Sequence, residues 1–230
     1  MSEFRERRDV ALRSRRDAIA AWFDVHPRQL ATLPAEVVMS MADRLAGEGS
    51  LPAQVAELRS TAQRWEVLAR TDALTGLANR RAAEERLEQE TDRVARYARP
   101  LALLLADVDG LKQVNDIHGH QAGDQVLREL AARLSRVVRA SDLLARWGGD
   151  EFVVICPETD AGAAAMVAGK LVREARGPID AGDVVVMCGL SVGWATANLE
   201  VDARRLVLSA DKALYRSKQT GRDRATGSSA

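Results

Sequence analysis

The sequence predicts an α+β domain whose sheet contains antiparallel strand pairs. Two observations indicate this fold class. Short apolar segments of strand length are mixed with longer amphipathic segments of helix length, and two of the short segments are joined by the adjacent glycines Gly148 and Gly149. No internal repeat of roughly 20 to 50 residues is visible, so a repeat architecture is not expected.

The first 50 residues are predicted to form helices that precede this domain. Ile19, Trp22 and Phe23 form one apolar face, and a second face runs from Val37 through Val38, Met41 and Leu45. Glycines at 47 and 49 then end the pattern. Residues 1–50 are therefore assigned to a helical segment, and the signal read by residues 1–70 cannot be deduced from the sequence.

Residues 51–70 are predicted to form a connecting helix. The apolar or small residues in this segment recur at alternating intervals of four and three, which is the period of a coiled-coil seam; they are Leu51, Val55, Leu58, Ala62, Trp65 and Ala69. The seam is short and contains two alanines. It can pack on the preceding helices or pair with a second chain, and the sequence favours neither.

The remaining residues are predicted to form the α+β domain, 71–225, followed by a flexible tail, 226–230. A turn at 71–77 leads into a helix that begins at about Asn79. Strands are predicted at 101–106, 143–147, 151–156, 184–187 and 190–195, and further helices at 124–138, 161–176 and 202–218.

The composition excludes several classes of protein. Of the 230 residues, 47% are hydrophobic and 29% charged, which is typical of a globular chain. Because 33 basic residues balance 33 acidic ones, no overall positive field favours nucleic acid or an anionic membrane. Cys156 and Cys188 lie in apolar runs, and no run approaches the roughly 20 apolar residues of a membrane span. We therefore expect a cytoplasmic protein with no nucleic-acid partner and no membrane span.

Two pairs of carboxylates are candidate functional groups. Asp107 and Asp109 follow the apolar strand LALLLA, and this placement is suited to Mg²⁺ but is also ordinary for a turn or a helix cap. Asp150 and Glu151 follow the Gly-Gly pair. Adjacent residues in a strand point to opposite faces, so both acids can reach one site only at the turn, where alternation fails.

The segment RWGGDEF resembles the signature of GGDEF-domain diguanylate cyclases, and the resemblance extends over most of residues 71–225. TDALTGLANRR is similar to the family's opening motif, DVDGLKQVNDIHGHQAGD to its metal and guanine segment, and ADKALYRSKQTGRD to its closing segment. The resemblance implies a central mixed, largely antiparallel sheet flanked by helices, like that of nucleotidyl cyclases and polymerase palm domains. It also implies an enzyme that joins two GTP molecules into cyclic di-GMP and releases two pyrophosphates.

Roles for single residues follow from this resemblance. It implies a Mg²⁺ or Mn²⁺ site at Asp107, the Val108 carbonyl, Asp150 and Glu151, with Asp150 and Glu151 catalytic. It implies that the substrate GTP is bound by Lys112, Asn115, Asp124, Gly148, Gly149, Lys218 and Arg222. Within that set, the amide and the carboxylate would read guanine and the cations would contact the β- and γ-phosphates. Lys218 and Arg222 are one helical turn apart and can face the same way.

The chain departs from the family pattern at a few positions. Gly110 and Leu111 replace the usual aromatic residue or histidine followed by phenylalanine, Trp147 replaces tyrosine, and Gly189 replaces threonine. None of these departures removes a carboxylate or a phosphate contact.

A control site and a dimer are also implied. Arg139 and Asp142 match the family's Arg-x-x-Asp product-inhibition motif, so cyclic di-GMP is expected as an allosteric inhibitor. Joining two GTP molecules requires two domains face to face, hence a homodimer. A non-catalytic receptor for GTP or cyclic di-GMP is the alternative function, and an interaction protein that acts through its helical front half is a third.

Overall fold

The computed structural model describes residue 17 and residues 19–20, 35–46, 69–197 and 202–229. The chain divides into two compact units, Met1–Glu66 and Val67–Ala230. In the first unit, helix α1 spans Ala35–Ala46 and buries Val38, whereas Val37, predicted on the same apolar face, is 41% exposed. The predicted seam lies outside the described residues except for its last position, Ala69, which is helical and exposed.

Helices and strands alternate irregularly along the described part of the second unit. In chain order they are α2 (Arg80–Tyr97), β1 (Leu101–Asp109), α3 (Leu111–His118), α4 (His120–Ser135), β2 (Leu143–Gly148), β3 (Glu151–Pro157), α5 (Ala161–Ala175), β4 (Pro178–Asp180), β5 (Val185–Met187), β6 (Gly189–Ala197), α6 (Ala203–Gln219) and β7 (Ala225–Ser229). Three of the helices begin at side-chain caps, because Asn79, Asp160 and Asp202 accept hydrogen bonds from the first-turn amides of α2, α5 and α6.

The main sheet is mixed and largely antiparallel. Its strand order is β2-β3-β1-β6-β7, and β4 pairs with β5 in a separate antiparallel sheet. Strand β1 pairs antiparallel with β3 and β6, β2 pairs antiparallel with β3, and β7 alone runs parallel to its neighbour β6. The predicted α+β fold class is confirmed.

Both faces of the sheet are covered by helices. Ala102, Leu104 and Ala106 of β1 pack with residues of α4 and α5, whereas Leu101, Leu103 and Leu105 pack with residues of α2 and α6. Because alternate residues of β1 pack into the hydrophobic clusters on the two faces of the sheet, all of its residues from 101 to 106 are apolar.

Several predicted boundaries and one predicted segment are wrong. Helix α4 begins at His120 instead of 124 and ends at Ser135 instead of 138, and α3, β4 and β7 are not among the predicted elements. Residues 226–229 are not a flexible tail, because they belong to β7 and take backbone hydrogen bonds from β6. The hydroxyls of Ser217 and Thr226 lie 2.7 Å apart and fasten the strand to α6. Polar strands of this kind carry no hydrophobic signal.

Helix α6 packs directly on the backbone of β6 at Gly193. A Cβ atom at this position would lie 2.0 Å from the amide nitrogen of Leu214 and 2.4 Å from the carbonyl oxygen of Ala210. Both of these atoms are helix backbone and cannot rotate away. Glycine is therefore required for the close approach of α6 to the sheet.

Replacing Gly193 with alanine should lower the free energy of unfolding by about 3 kcal/mol, because the helix must move away from the sheet. Urea denaturation followed by circular dichroism measures the change. Gly169→Ala is the matched control: Gly169 is exposed in α5 and a Cβ there meets nothing, so alanine should stabilise the protein by roughly 0.5–1 kcal/mol. Equal stabilities of the two variants would contradict this account of the packing.

Among the described residues, no helix has both the length and the apolar character needed to cross a bilayer.

Candidate active site

The carboxyl end of β1 and the β2–β3 hairpin meet at one edge of the sheet. The strand register pairs Asp107 with Glu151, and the Val108 amide donates a hydrogen bond to the Asp150 carbonyl at 3.1 Å. Strand alternation places Asp107 and Glu151 on the face covered by α2 and α6. Asp150 lies in the turn, so this alternation does not constrain it.

Negative charge accumulates around Asp107, which is only 9% exposed. Burial raises the pKa of the Asp107 carboxyl, and this shift is opposed by Lys218, whose Nζ lies 2.7 Å from Oδ2. The pKa of Glu151 is also raised, first by burial and then by the neighbouring charge of Asp107. The edge therefore presents buried carboxylates that hold protons more readily than exposed ones and that favour a nearby cation.

A cavity of about 450 Å³ opens on the other side of the hairpin, between it and helices α3 and α4. Asn115 and Asp124 both line this cavity, together with Lys112, Gly149 and Asp150. The structure thus brings the two predicted guanine-reading residues together. Gly148, by contrast, is exposed and does not line the cavity.

The position of Asn115 depends on Gly123. A Cβ atom at Gly123 would lie 1.9 Å from Oδ1 of Asn115, so a larger residue on α4 would push the amide out of place. Asp124 follows directly and is half-buried in the same wall. An amide and a carboxylate side by side offer both donors and acceptors, which matches the mixed hydrogen-bonding edge of guanine.

The residues at this edge fit a Mg²⁺ ion. Asp107, Asp150 and Glu151 supply carboxylate oxygens and Val108 a carbonyl, which are the ligand types that Mg²⁺ prefers. In the described part of the chain, no three His, Cys, Asp or Glu side chains are grouped so that they alone could hold a metal ion. Mg²⁺ usually keeps several waters and is completed by substrate phosphates, so a site here would depend on those ligands as well.

Lys218 and Arg222 both lie near the end of β1, although they are not on one helix. Helix α6 ends at Gln219, and Arg222 follows in a loop with φ of 57°. The prediction that they are one helical turn apart is therefore wrong. Nε of Arg222 instead lies 3.8 Å from Oδ1 of Asp109, so each cation has its own acidic neighbour on β1.

An ion pair fixes the hairpin to the start of the domain. The Arg146 guanidinium lies 3.2 Å from both carboxylate oxygens of Asp72 and also donates to the Gly149 carbonyl at 2.8 and 3.0 Å. Asp72 in turn accepts from the amide and hydroxyl of Thr75 at 2.9 and 2.7 Å. The turn at 71–77 and the hairpin are thus held as one structure.

Arg139 and Asp142 form a turn at the start of β2. The Asp142 carboxylate accepts from the Arg139 amide at 2.9 Å, and the Asp142 amide donates to the Arg139 carbonyl at 3.0 Å. The Arg139 side chain is exposed. Strand β2 separates this turn from the hairpin by roughly 20 Å at the usual rise per residue. The predicted inhibitory residues are thus together, at the opposite end of the strand from the acidic hairpin.

Two further acids lie beside the site: Asp109, which the sequence indicates only as the second acid after the apolar strand, and Asp211, for which the sequence predicts no role. Asp109 contacts the loop of Arg222, and Asp211 lines a groove of about 440 Å³ beside α6 together with Glu151 and Lys218. From the sequence alone, a charged residue within a helix, such as Asp211, is expected to face solvent. Only the packing of α6 on the sheet shows that it lies beside the site.

The fold and the site define a class: an α+β domain with an acidic hairpin beside a cavity large enough for a nucleotide. Residues 69–224 match the family model described as diguanylate cyclase, GGDEF domain. The chain belongs to the GGDEF domain family.

Relatives of known name have similar sequences and structures. Diguanylate cyclase DgcP of Pseudomonas aeruginosa is 35% identical over 223 residues, which cover 94% of this chain and 32% of that protein. Response regulator PleD of Caulobacter vibrioides is 38% identical over 71% of this chain and 37% of its own length. The chain therefore spans about a third of the length of these curated relatives.

Two solved structures share the fold over most of this chain. The coiled coil and GGDEF domain of DgcB from Caulobacter crescentus, in complex with c-di-GMP, is 31% identical with a TM-score of 0.73, covering 82% of this chain and 100% of that one. Diguanylate cyclase SiaD of Pseudomonas aeruginosa, in complex with its activator SiaC, is 30% identical with a TM-score of 0.67, covering 99% and 89%.

The ion pair of the hairpin should be visible in the pH dependence of stability. Burial acts to raise the pKa of Asp72, but hydrogen bonds from Thr75 and the charge of Arg146 outweigh it and lower the pKa. A lowered pKa stabilises the folded state above the unfolded pKa of about 3.9, and this contribution is lost as the pH falls through the folded value. The advantage of wild type over Asp72→Asn should therefore shrink as the pH falls below about 4.

Urea unfolding at several pH values measures this difference. Asp92→Asn is the control, since it removes a carboxylate from an exposed position of α2. A difference between wild type and Asp72→Asn that is constant over the whole range would contradict the role given to the ion pair.

Proposed function

We propose that the chain is a diguanylate cyclase that condenses two GTP molecules into cyclic di-GMP and two pyrophosphates. The observation that carries the proposal is the joint placement of Asn115 and Asp124 in one cavity that also reaches the acidic hairpin. A guanine base in this cavity puts its triphosphate at the sheet edge, near Asp107 and Lys218. The names of the sequence relatives support the same activity.

Base and phosphate recognition divide between the two sides of the hairpin. On the cavity side, the Asp124 carboxylate accepts from guanine N1 and N2, and the Asn115 amide donates to the acceptor edge. At the end of β1, Lys218 and Arg222 neutralise the β- and γ-phosphates, with Lys112 on the exposed face of α3 as a further cation. Gly149 lets the nucleotide lie against the backbone of the turn.

The chemistry is a phosphoryl transfer between two bound nucleotides. The 3′-oxygen of one GTP forms a bond to the α-phosphorus of the other, and the bond from that phosphorus to the bridging oxygen breaks to release pyrophosphate. Bound Mg²⁺ would lower the pKa of the 3′-hydroxyl and neutralise phosphate charge, held by Asp107, the Val108 carbonyl, Asp150 and Glu151. Glu151, at the same edge of the sheet, is proposed to accept the proton of the hydroxyl.

The reaction needs two copies of the domain. Each copy offers one guanine cavity, so the two nucleotides must come from protomers related by a two-fold axis, which makes both bonds in the same way. The seam at 51–69 is the segment proposed to hold the protomers together. Product binding at Arg139 and Asp142 is proposed to fix them in an unproductive arrangement.

A single assay tests the activity and the dimer together. The chain is incubated with GTP and Mg²⁺ at several protein concentrations, and pyrophosphate and cyclic di-GMP are quantified. We expect two molecules of pyrophosphate for each molecule of cyclic di-GMP. We also expect the specific activity to fall when the protein is diluted. GTP binding without either product would indicate a receptor, and specific activity independent of concentration would exclude a reversible dimer.

Glu151→Ala should lower kcat by about 100-fold or more, because it removes a metal-site and proton-accepting group. The fold should be retained, since Glu151 lies at the hairpin and is only half-buried. Steady-state pyrophosphate release measures the effect, and Glu174→Ala, an exposed carboxylate on α5, is the control. Near-normal turnover in the Glu151 variant would contradict its role in the reaction.

Asp124→Asn should lower kcat/KM for GTP by roughly 10- to 100-fold, because an amide presents donors where guanine also presents donors. Asp116→Asn is the matched control, since Asp116 lines the same cavity at an exposed position. An equal loss in both variants would mean that only the charge of the cavity matters. Unchanged kinetics in Asp124→Asn would show that Asp124 does not contact guanine.

Arg139→Ala should relieve inhibition by cyclic di-GMP and raise the half-inhibitory concentration by about tenfold or more, because a guanidinium binds phosphate or guanine in bidentate fashion. Activity without added product should change little, since the turn lies at the far end of β2. Titration of cyclic di-GMP at fixed GTP measures this, with the exposed Arg136→Ala as control. Superimposable inhibition curves would exclude Arg139 from product binding.

A further inference from the structure

The loop that carries Arg222 has an unusual backbone. Gly221, Arg222 and Asp223 have consecutive positive φ values of 117°, 57° and 46°. Glycine adopts this region freely, but arginine and aspartate rarely do. Two such residues in sequence persist only where surrounding contacts determine their conformation.

Asp109 supplies one of these contacts from the active-site strand. Its Oδ2 accepts a hydrogen bond from the Asp223 amide at 2.9 Å, across 114 residues of sequence. The Ser191 hydroxyl lies 2.8 and 3.0 Å from the two Asp109 oxygens and orients the carboxylate. On the outer side, Arg176 pairs with the Asp223 side chain at 2.8 Å.

Asp109 holds the backbone of the loop and leaves the Arg222 side chain available. The Asp109 side chain is 10% exposed, whereas that of Arg222 is 65% exposed. Nε of Arg222 lies 3.8 Å from Oδ1 of Asp109, which is beyond hydrogen-bond distance. The guanidinium can therefore turn all of its donors towards a ligand while the carboxylate stays bound to the main chain.

We propose that Asp109 is a positioning residue: it holds the Gly221–Asp223 loop in its left-handed conformation and so presents Arg222 to the β- and γ-phosphates of GTP. It acts through Arg222 and touches neither substrate nor metal. The inference rests on the proposed function only in naming the phosphate as the ligand of Arg222. It distinguishes Asp109 from Asp107, the other acid of the same strand face, which pairs with Lys218 directly.

The first test needs no nucleotide. Amide hydrogen exchange is measured on the full chain for residues 221–224 in wild type, Asp109→Ala and Asp109→Asn. We expect faster exchange in the alanine variant and near-normal exchange in the asparagine variant, because the amide oxygen of asparagine still accepts from the Asp223 amide. Asp160→Ala, which removes a comparable hydrogen bond at the N-terminus of α5, is the control for a general loss of stability. Unchanged exchange in Asp109→Ala would overturn the proposal.

The second test separates positioning from other roles. The affinities for a non-reactive GTP analogue and for GMP, which lacks the β- and γ-phosphates, are measured by calorimetry. Asp109→Ala should weaken the analogue roughly tenfold and leave GMP unchanged, Asp109→Asn should restore most of the affinity, and Asp109→Ala/Arg222→Ala should be no weaker than Arg222→Ala. An equal loss for both nucleotides, or losses that add in the double variant, would overturn the proposal.

The two tests also distinguish this inference from the proposed function. If wild type binds neither nucleotide, the proposed function fails and the phosphate role of Asp109 fails with it, whatever the exchange data show. If wild type binds and converts GTP but Asp109→Asn loses all activity, Asp109 takes part in the reaction through its charge, and the positioning role alone is overturned.

Discussion

Strand β1 lies at the centre of the sheet, and the rest of the site depends on this position. Both faces of the strand are covered, so the side chains from Leu101 to Ala106 are all buried and apolar. The strand can carry acids only at its end, where the sheet opens to solvent. Asp107 and Asp109 lie there on one face, two residues apart, and each meets a cation delivered by the far end of α6 or by the loop after it.

The charges of the site act over short distances, and Lys218 balances those of the carboxylates at the end of β1. The chain has no net charge, so an anionic ligand gains nothing from a long-range field. Burial of Asp107 beside Glu151 disfavours two ionised carboxylates, and Lys218 offsets this cost at 2.7 Å. In the proposed function Asp107 would help to hold a metal ion, which would neutralise this carboxylate and leave the lysine available to phosphate.

The sequence predicts those features whose signal is local. The hairpin of Gly148 and Gly149, the strand that ends at the first acids and the closing helix are all confirmed, because periodicity and turn chemistry depend on neighbouring residues. The polar strand β7 carries no such signal, and the short helix α3 buries only Leu111 and Val114. The ion pair of Asp72 with Arg146 joins residues 74 positions apart, and the helical spacing assumed for Lys218 and Arg222 fails because Thr220 ends the helix. Contacts of this kind are decided by packing.

Small residues determine how closely the strands, helices and loops of the site approach one another. This explains why glycine at position 189, a departure from the family pattern, affects the site. Gly189 stands where threonine is usual, and a Cβ there would lie 3.1 Å from both Oδ2 of Asp109 and Cβ of Asp223. Those atoms belong to the two residues joined by the hydrogen bond that fixes the Arg222 loop. In this chain, glycine lets β6 lie directly under that bond. A Cβ atom at position 189 would require the Asp109 carboxylate or the loop at Asp223 to shift by a few tenths of an ångström, so the size of residue 189 bears on the bond that holds the loop.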